Sequence, residues 1–176
     1  ENIYFIPIDD EIHDDYFKWV NDRTVIDRLE TGHFPKTRQQ LMEYVNSINK
    51  NPDYIFFAVI EKETSTYIGN AKLGQIKWIN GTTEYGRMIG EKNSMGKGYG
   101  TEIGKLLLHY AFMILNLNKV NVGSITDNIA SIKSNEKIGF EIEGELKQQV
   151  YINGSYKNTV IMGITKARYC ELNQIE

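Results

Sequence analysis

Residues 82–116 restrict this chain more than any other stretch. A strand-like run, TTEYGRMIGE (82–91), passes through a glycine-dense loop into a helical run ending near residue 116. Six glycines crowd into it: Gly86, Gly90, Gly96, Gly98, Gly100 and Gly104. Glycine lacks a Cβ, so the backbone can turn left-handed there and approach a ligand closely. In the helical run, Ile103, Leu106, Leu107, Tyr110, Ala111 and Ile114 share one broad face. The N–H groups of its first turn, aided by the helix dipole, favour an anion. A phosphate or pyrophosphate is the natural occupant; a tight strand-to-helix turn holding nothing is the alternative.

The remaining pattern sets the architecture. NIYFIPI (2–8) reads as a first strand, and Asp9 and Asp10 offer caps for a short helix carrying Tyr16, Phe17, Trp19 and Val20. Residues 30–36 form a loop, and Thr37 caps a second helix in which Leu41, Tyr44, Val45 and Ile48 recur at helical spacing. YIFFAVIEK (54–62) is a continuous apolar run, expected to be a strand buried on both faces. Residues 64–80 read as one long or bent strand with Gly69 and Gly74 as bulge candidates, followed by a turn at Asn80-Gly81. After the long helix come a strand (119–126), a helix capped by Asp127 or Asn128, and a hairpin (140–152, 156–166) turning at Asn153-Gly154. This order makes an α+β fold with one β-α-β unit in a mostly antiparallel sheet.

At 176 residues the chain is read as one domain, 1–176, with a core of about 2–166. Lysine plus arginine number 20 against 23 acidic residues, a net charge of −3 that excludes a general nucleic-acid footprint. A single cysteine, Cys170, makes neither an internal disulfide nor a thiolate metal cluster, and points to a reducing, cytoplasmic setting. His13, His33 and His109 are too dispersed for a local metal-ligand pair, so no metal is expected. No apolar run approaches the ~20 residues that cross a bilayer, and no membrane partner is expected.

The loop excludes two common phosphate motifs. Starting from Gly96 or Gly98, the third glycine of G-x-G-x-x-G falls on Thr101 or Ile103. Gly98 is not followed by lysine, nor Lys97 by serine or threonine, so the Walker A pattern fails too. Met95-Gly96-Lys97-Gly98-Tyr99-Gly100 instead resembles Q/R-x-x-G-x-G/A, the acetyl-CoA pyrophosphate loop of the GNAT superfamily of N-acetyltransferases, with Met95 in place of Gln or Arg. Asn128-x-x-Ser131 and Glu136-Lys137-Ile138-Gly139-Phe140 resemble that family's second signature. Glu143-Gly144-x-Leu146 and Gly154-x-Tyr156 resemble its ribosomal-protein N-terminal acetyltransferase (RimJ/RimL-like) branch. The resemblance implies the GNAT acyl-CoA N-acyltransferase fold, a mixed, mostly antiparallel sheet of about seven strands flanked by about four helices. It also implies transfer of acetyl from acetyl-CoA to a primary amine, with CoA as product.

Direct attack on a thioester makes three demands. The amine must lose a proton, the oxyanion needs a donor, and the thiolate leaves more easily beside an acid. Alternation puts Glu84, Gly86 and Met88 on one strand face and Tyr85, Arg87 and Ile89 on the other. Glu84 is the first candidate base, working through water, with Glu91 as alternative; a solvated strand charge is the competing reading. By resemblance, the backbone near Met88 or Ile89 donates to the oxyanion, helped by a strand bulge between Gly86 and Gly90. Many relatives use a tyrosine seven residues after the signature asparagine; here that place is Asn135, so Ser131 becomes the candidate acid. Cofactor contacts are expected at Met88, Ile89, Gly90, Gly96, Lys97, Gly98, Tyr99, Gly100, Thr101, Asn128, Asn135 and Lys137.

The resemblance implies an acceptor side at the first two helices, their loop and the last hairpin, with Glu30, His33, Phe34, Trp78 and Tyr151 in contact and Phe17, Trp19 and Arg28 nearby. The acceptor is an amine-bearing small molecule or peptide: a protein N-terminus, an amino sugar or sugar nucleotide, a polyamine or a drug amine. An acidic pocket would favour polyamines, and aromatics with basic residues a nucleotide-linked sugar. The protein is expected to be a monomer or homodimer. The competing class is a catalytically weak CoA-binding sensor or interaction module, motivated by Asn135 and Met95.

Overall fold

A strand with six successive apolar residues needs a layer on each side, and the sheet is built around one. In β2 (Ile55–Glu61), Phe56, Ala58 and Ile60 enter one core, while Ile55, Phe57 and Val59 enter the other. The computed structural model describes residues 1–8, 13–27, 29 and 34–175. Around β2 lie β1 (Ile3–Pro7), β3 (Tyr67–Leu73), β4 (Thr82–Ile89), β5 (Lys119–Ile125), β6 (Glu141–Ile152) and β7 (Ser155–Thr165). They form a seven-stranded sheet in the order β1-β2-β3-β4-β5-β7-β6. Every neighbouring pair is antiparallel except β4–β5, which the intervening helix makes parallel.

Six α-helices lie among the described residues. On one face α1 (Asp14–Trp19), α2 (Arg23–Ile26) and α3 (Arg38–Asn49) bury Tyr16, Trp19, Val25, Leu41 and Val45 against Phe56 and Tyr67. On the other, α4 (Tyr99–His109) brings Ile103, Leu107 and Leu108 into the main core and continues into a π-helical turn, Tyr110–Ile114. α5 (Ile129–Glu136) packs on α4, and α6 (Lys166–Asn173) adds Tyr169 to the same core.

This exceeds the expected four helices in two places. α2 is one turn long, capped by Asp22 onto Thr24 at 2.9 Å, and too short to register as a period. α6 begins where β7 ends, with Thr165 capping Arg168 N at 3.2 Å, and carries the core past residue 166. The caps at Asp9 and Asp10 lie outside the described residues; His13 caps α1, accepting from Asp15 N at 3.2 Å. Thr37 and Gln40 form the reciprocal cap of α3, and Asn128 caps α5. The run 64–80 is not one strand: β3 stops at Leu73, and an irregular link bridged at Lys77–Thr82 reaches β4.

Candidate active site

β4 and β5 pair at Thr82–Lys119, Thr83–Val120 and Glu84–Asn121, and both strands then run on apart. A cleft of about 760 Å³ opens between Tyr85–Ile89 and Val122–Ile125, lined also by residues of α2, α4 and α5. No bulge is needed to free main-chain donors here. The β3–β4 register is unbroken, so the expected bulge between Gly86 and Gly90 does not form. Gly74 N–H donates to Glu84 O and Gly90 N–H to Ile68 O, which turns the even-numbered residues of β4 toward β3. Arg87 and Ile89 therefore direct their N–H groups into the cleft, while Met88 pairs with Asn70.

The loop end of the cleft is built for an anion. Gly96 and Gly98 hold φ of 77° and 90°, and a Cβ added at either would meet nothing within 4 Å. Gly98 caps α4 without a side chain; its carbonyl accepts from Thr101 and Glu102, leaving the N–H groups of Tyr99 and Gly100 for a ligand. Arg87, Lys133 and Lys137 line the cleft, and no carboxylate does among the described residues. An open cradle and a lining whose charged described members are all cations fit the pyrophosphate of a CoA thioester.

Behind the cleft wall lies a buried polar cluster. Tyr85 Oη donates to Asn135 Oδ1 and accepts from Arg87 Nη1 at 2.5 Å, and Arg87 Nη2 reaches Ser131 O at 3.5 Å. Burial pushes the Tyr85 phenol up to about 12, so it remains a donor at neutral pH. Burial also lowers the Arg87 guanidinium, which has no carboxylate partner among the described residues.

A second cavity, about 710 Å³, opens on the α1–α3 side. The two cavities share Leu29 and, on β4, Gly86, Arg87 and Met88, so they meet across β4. Gly86 leaves the strand face open at that place, since an added Cβ there would meet nothing within 4 Å.

The structure brings together many of the residues singled out in the sequence and disperses others. Met88, Ile89, Gly96, Gly98, Gly100, Thr101, Asn128, Ser131 and Lys137 all line the cleft. Ser131 Oγ lies 3.1 Å from Ser124 Oγ, and Thr101 Oγ1 lies 2.9 Å from Ser134 Oγ. Tyr99 turns its ring into the core and its hydroxyl to Glu61, and Gly90 gives room to the buried Trp19 ring. Asn135 is fully buried beneath the cleft, and Lys97 is exposed. Glu84 is exposed on the acceptor-side face, two residues before Gly86, beside Lys72 and Asn121. On the acceptor side, Phe34 is exposed, Trp78 bonds Asp53 at 2.9 Å, and Tyr151 stacks edge-on with Tyr156; none lines either cavity. Glu30, His33 and Arg28 lie outside the described residues. Asn70 and Lys72 are not singled out by the sequence, although alternation in YIGNAKL puts them on one strand face; Tyr85 and Arg87 share a face by alternation in TTEYGRMI, but nothing in the sequence gives them a role.

Comparison with known proteins agrees with this geometry. Residues 2–141 match the family described as Acetyltransferase (GNAT) domain. The spermidine N(1)-acetyltransferase of Vibrio cholerae is 31% identical over 133 residues, covering 76% of this chain and 74% of that protein. The probable N-acetyltransferase YjcK of Bacillus subtilis is 32% identical over 130 residues, covering 72% and 70%. The fold matches the crystal structure of spermidine N-acetyltransferase from Vibrio cholerae in complex with CoA and spermine, with a TM-score of 0.86 over 96% of this chain and 98% of that one at 24% identity. These matches establish the superfamily and not the ribosomal-protein branch. A family match over most of the chain, on a split sheet with a glycine-cradled helix start, makes this protein an N-acetyltransferase of the GNAT superfamily.

Proposed function

We propose that the chain carries acetyl from acetyl-CoA to a primary amine on a small molecule, the acceptor entering from the α1–α3 side. One observation carries this reading: the cation-lined cleft and the acceptor-side cavity meet across β4 at the open Gly86. The donor supplies an activated acyl carbon. Gly98, Tyr99, Gly100 and Thr101 hold its pyrophosphate, with Lys137 nearby. Arg87 or Ile89 N–H faces the oxygen on which charge develops. Glu84 takes the amine proton through water, from the same strand face as Gly86. The amine nitrogen bonds to the acyl carbon; as the carbon–sulfur bond breaks, Ser131 Oγ–H donates a hydrogen bond to the departing thiolate, which takes its proton from solvent, and Ser124 orients that hydroxyl. Asn128 holds the first turn of α5, and thereby Ser131, in place.

The test is release of free CoA thiol from acetyl-CoA over a panel of amines. Glu84→Gln is expected to lower kcat by about 100-fold, the usual worth of a general base. Ser131→Ala is expected to lower it by about tenfold. If both variants turn over normally, the residue roles fall and the transferase reading stands. Acetyl-CoA binding without turnover on any amine would favour the sensor reading instead. A polyamine is the second acceptor reading, favoured by the named spermidine acetyltransferases among the relatives.

A further inference from the structure

The acceptor-side cavity carries its own chemical signature. Asn70 and Lys72 project from β3 on one face, directly opposite Met88 and Gly86 of β4. Lys72 Nζ donates to Tyr44 Oη at 3.3 Å and lies 5.8 Å and 5.7 Å from the ring centroids of Tyr44 and Tyr54. It has no carboxylate partner among the described residues. Asn70 lines the cavity and is 4% exposed; its Oδ1 accepts from Tyr67 Oη at 2.5 Å, while its buried Nδ2 has no hydrogen-bond partner. A buried amide donor with nothing to bond is costly, and such a group in a cavity wall marks where a ligand oxygen belongs. Among the described lining residues Lys36 and Lys72 face one carboxylate, Glu43, while Arg87 turns its guanidinium to the other side of β4. Tyr16, Tyr44 and Phe56 supply flat apolar walls beside them.

Building on the transferase reading, we propose that the acceptor is an amine that also bears a phosphoryl group, held by Lys72 and Asn70 beside Gly86. A phosphoryl oxygen satisfies both the unmatched ammonium and the unmatched amide N–H. A polyamine satisfies neither, since it brings further cations and donors to an ammonium and an amide N–H. An amino-sugar phosphate and a nucleotide-linked amino sugar share the required chemistry, the second also using the aromatic walls.

The experiment compares glucosamine, its phosphate monoester, UDP-glucosamine and spermidine as acceptors, by kcat/KM in the thiol-release assay. Binding of each to the CoA-saturated protein is measured by calorimetry. The phosphorylated amines are expected to exceed glucosamine and spermidine by at least about tenfold in kcat/KM, the worth of one charge-assisted hydrogen bond. Lys72→Met is expected to lower the phosphorylated substrates by about 30-fold and glucosamine by less than about threefold, with Lys72→Arg restoring most of the loss. Preference for spermidine or plain glucosamine, or equal effects of Lys72→Met on all four, overturns the proposal. If no compound is acetylated, Lys72-dependent binding of the phosphorylated amines supports the site while the transferase reading of this cavity fails. Absence of that binding overturns the proposal itself. The two phosphorylated compounds separate a monoester site from one that also grips a nucleotide.

Discussion

Replacing Gly98 by valine is expected to raise KM for acetyl-CoA by about 100-fold or more, with kcat at saturation nearly unchanged. Two effects combine. At φ of 90° a β-branched residue is strained, so the first turn of α4 shifts and its free N–H groups lose their aim. The new side chain also occupies the space in which nothing now lies within 4 Å. Losing two or three amide contacts to a pyrophosphate, each worth about 1 kcal/mol or more, accounts for the factor. Calorimetric titration with CoA checks it independently of any acceptor. Unchanged CoA affinity in a folded Gly98→Val protein would remove this loop from the cofactor site.

Arg87→Met is expected to separate stability from binding in opposite directions. The guanidinium is half-buried against Tyr85 and α5, and its hydrogen-bond partners among the described residues are a phenol and a main-chain carbonyl. Desolvating a cation without a counter-charge costs several kcal/mol, so an apolar side chain of similar length should hold or raise the melting temperature of the free protein. The same change removes a cation from the cleft and should raise KM for acetyl-CoA by about 10–100-fold, the worth of one charged hydrogen bond. The stabilising shift produced by added CoA should shrink accordingly. A free protein destabilised by more than about 2 kcal/mol would show instead that Arg87 serves the fold through Tyr85 and Asn135.

Legibility in the sequence followed the range of the forces involved. Local signals held: the two-sided β2, the Thr37 and Asn128 caps, the Asn153-Gly154 turn with φ of 50° and 80°, and the glycine start of α4. Each depends on residues within one turn or one strand. The parting of β4 from β5 left no such mark, because it is set by how far two strands distant in sequence stay paired. A bulge was therefore expected where a splay occurs. The acceptor wall was hidden for a similar reason. Lys72 and Asn70 become neighbours of Gly86 and Met88 only through the β3–β4 register. Aromatics such as Trp78 and Tyr151 attracted attention as residues, yet their positions carry them away from both cavities.

The sheet is thus two half-sheets, β1 to β4 and β5 to β6, joined along their main chains at three residue pairs. A ligand lying between them completes the hydrogen bonding that the chain leaves open, as an additional strand would. At 100 times its Kd it adds about 2.7 kcal/mol to the free energy of unfolding, or about 5–10 °C for a chain of this size. Amide hydrogens of Arg87 and Ile89 should exchange freely in the empty protein and slowly in the filled one. Acetyl-CoA supply then governs how long the protein survives heat and proteases as well as how fast it works.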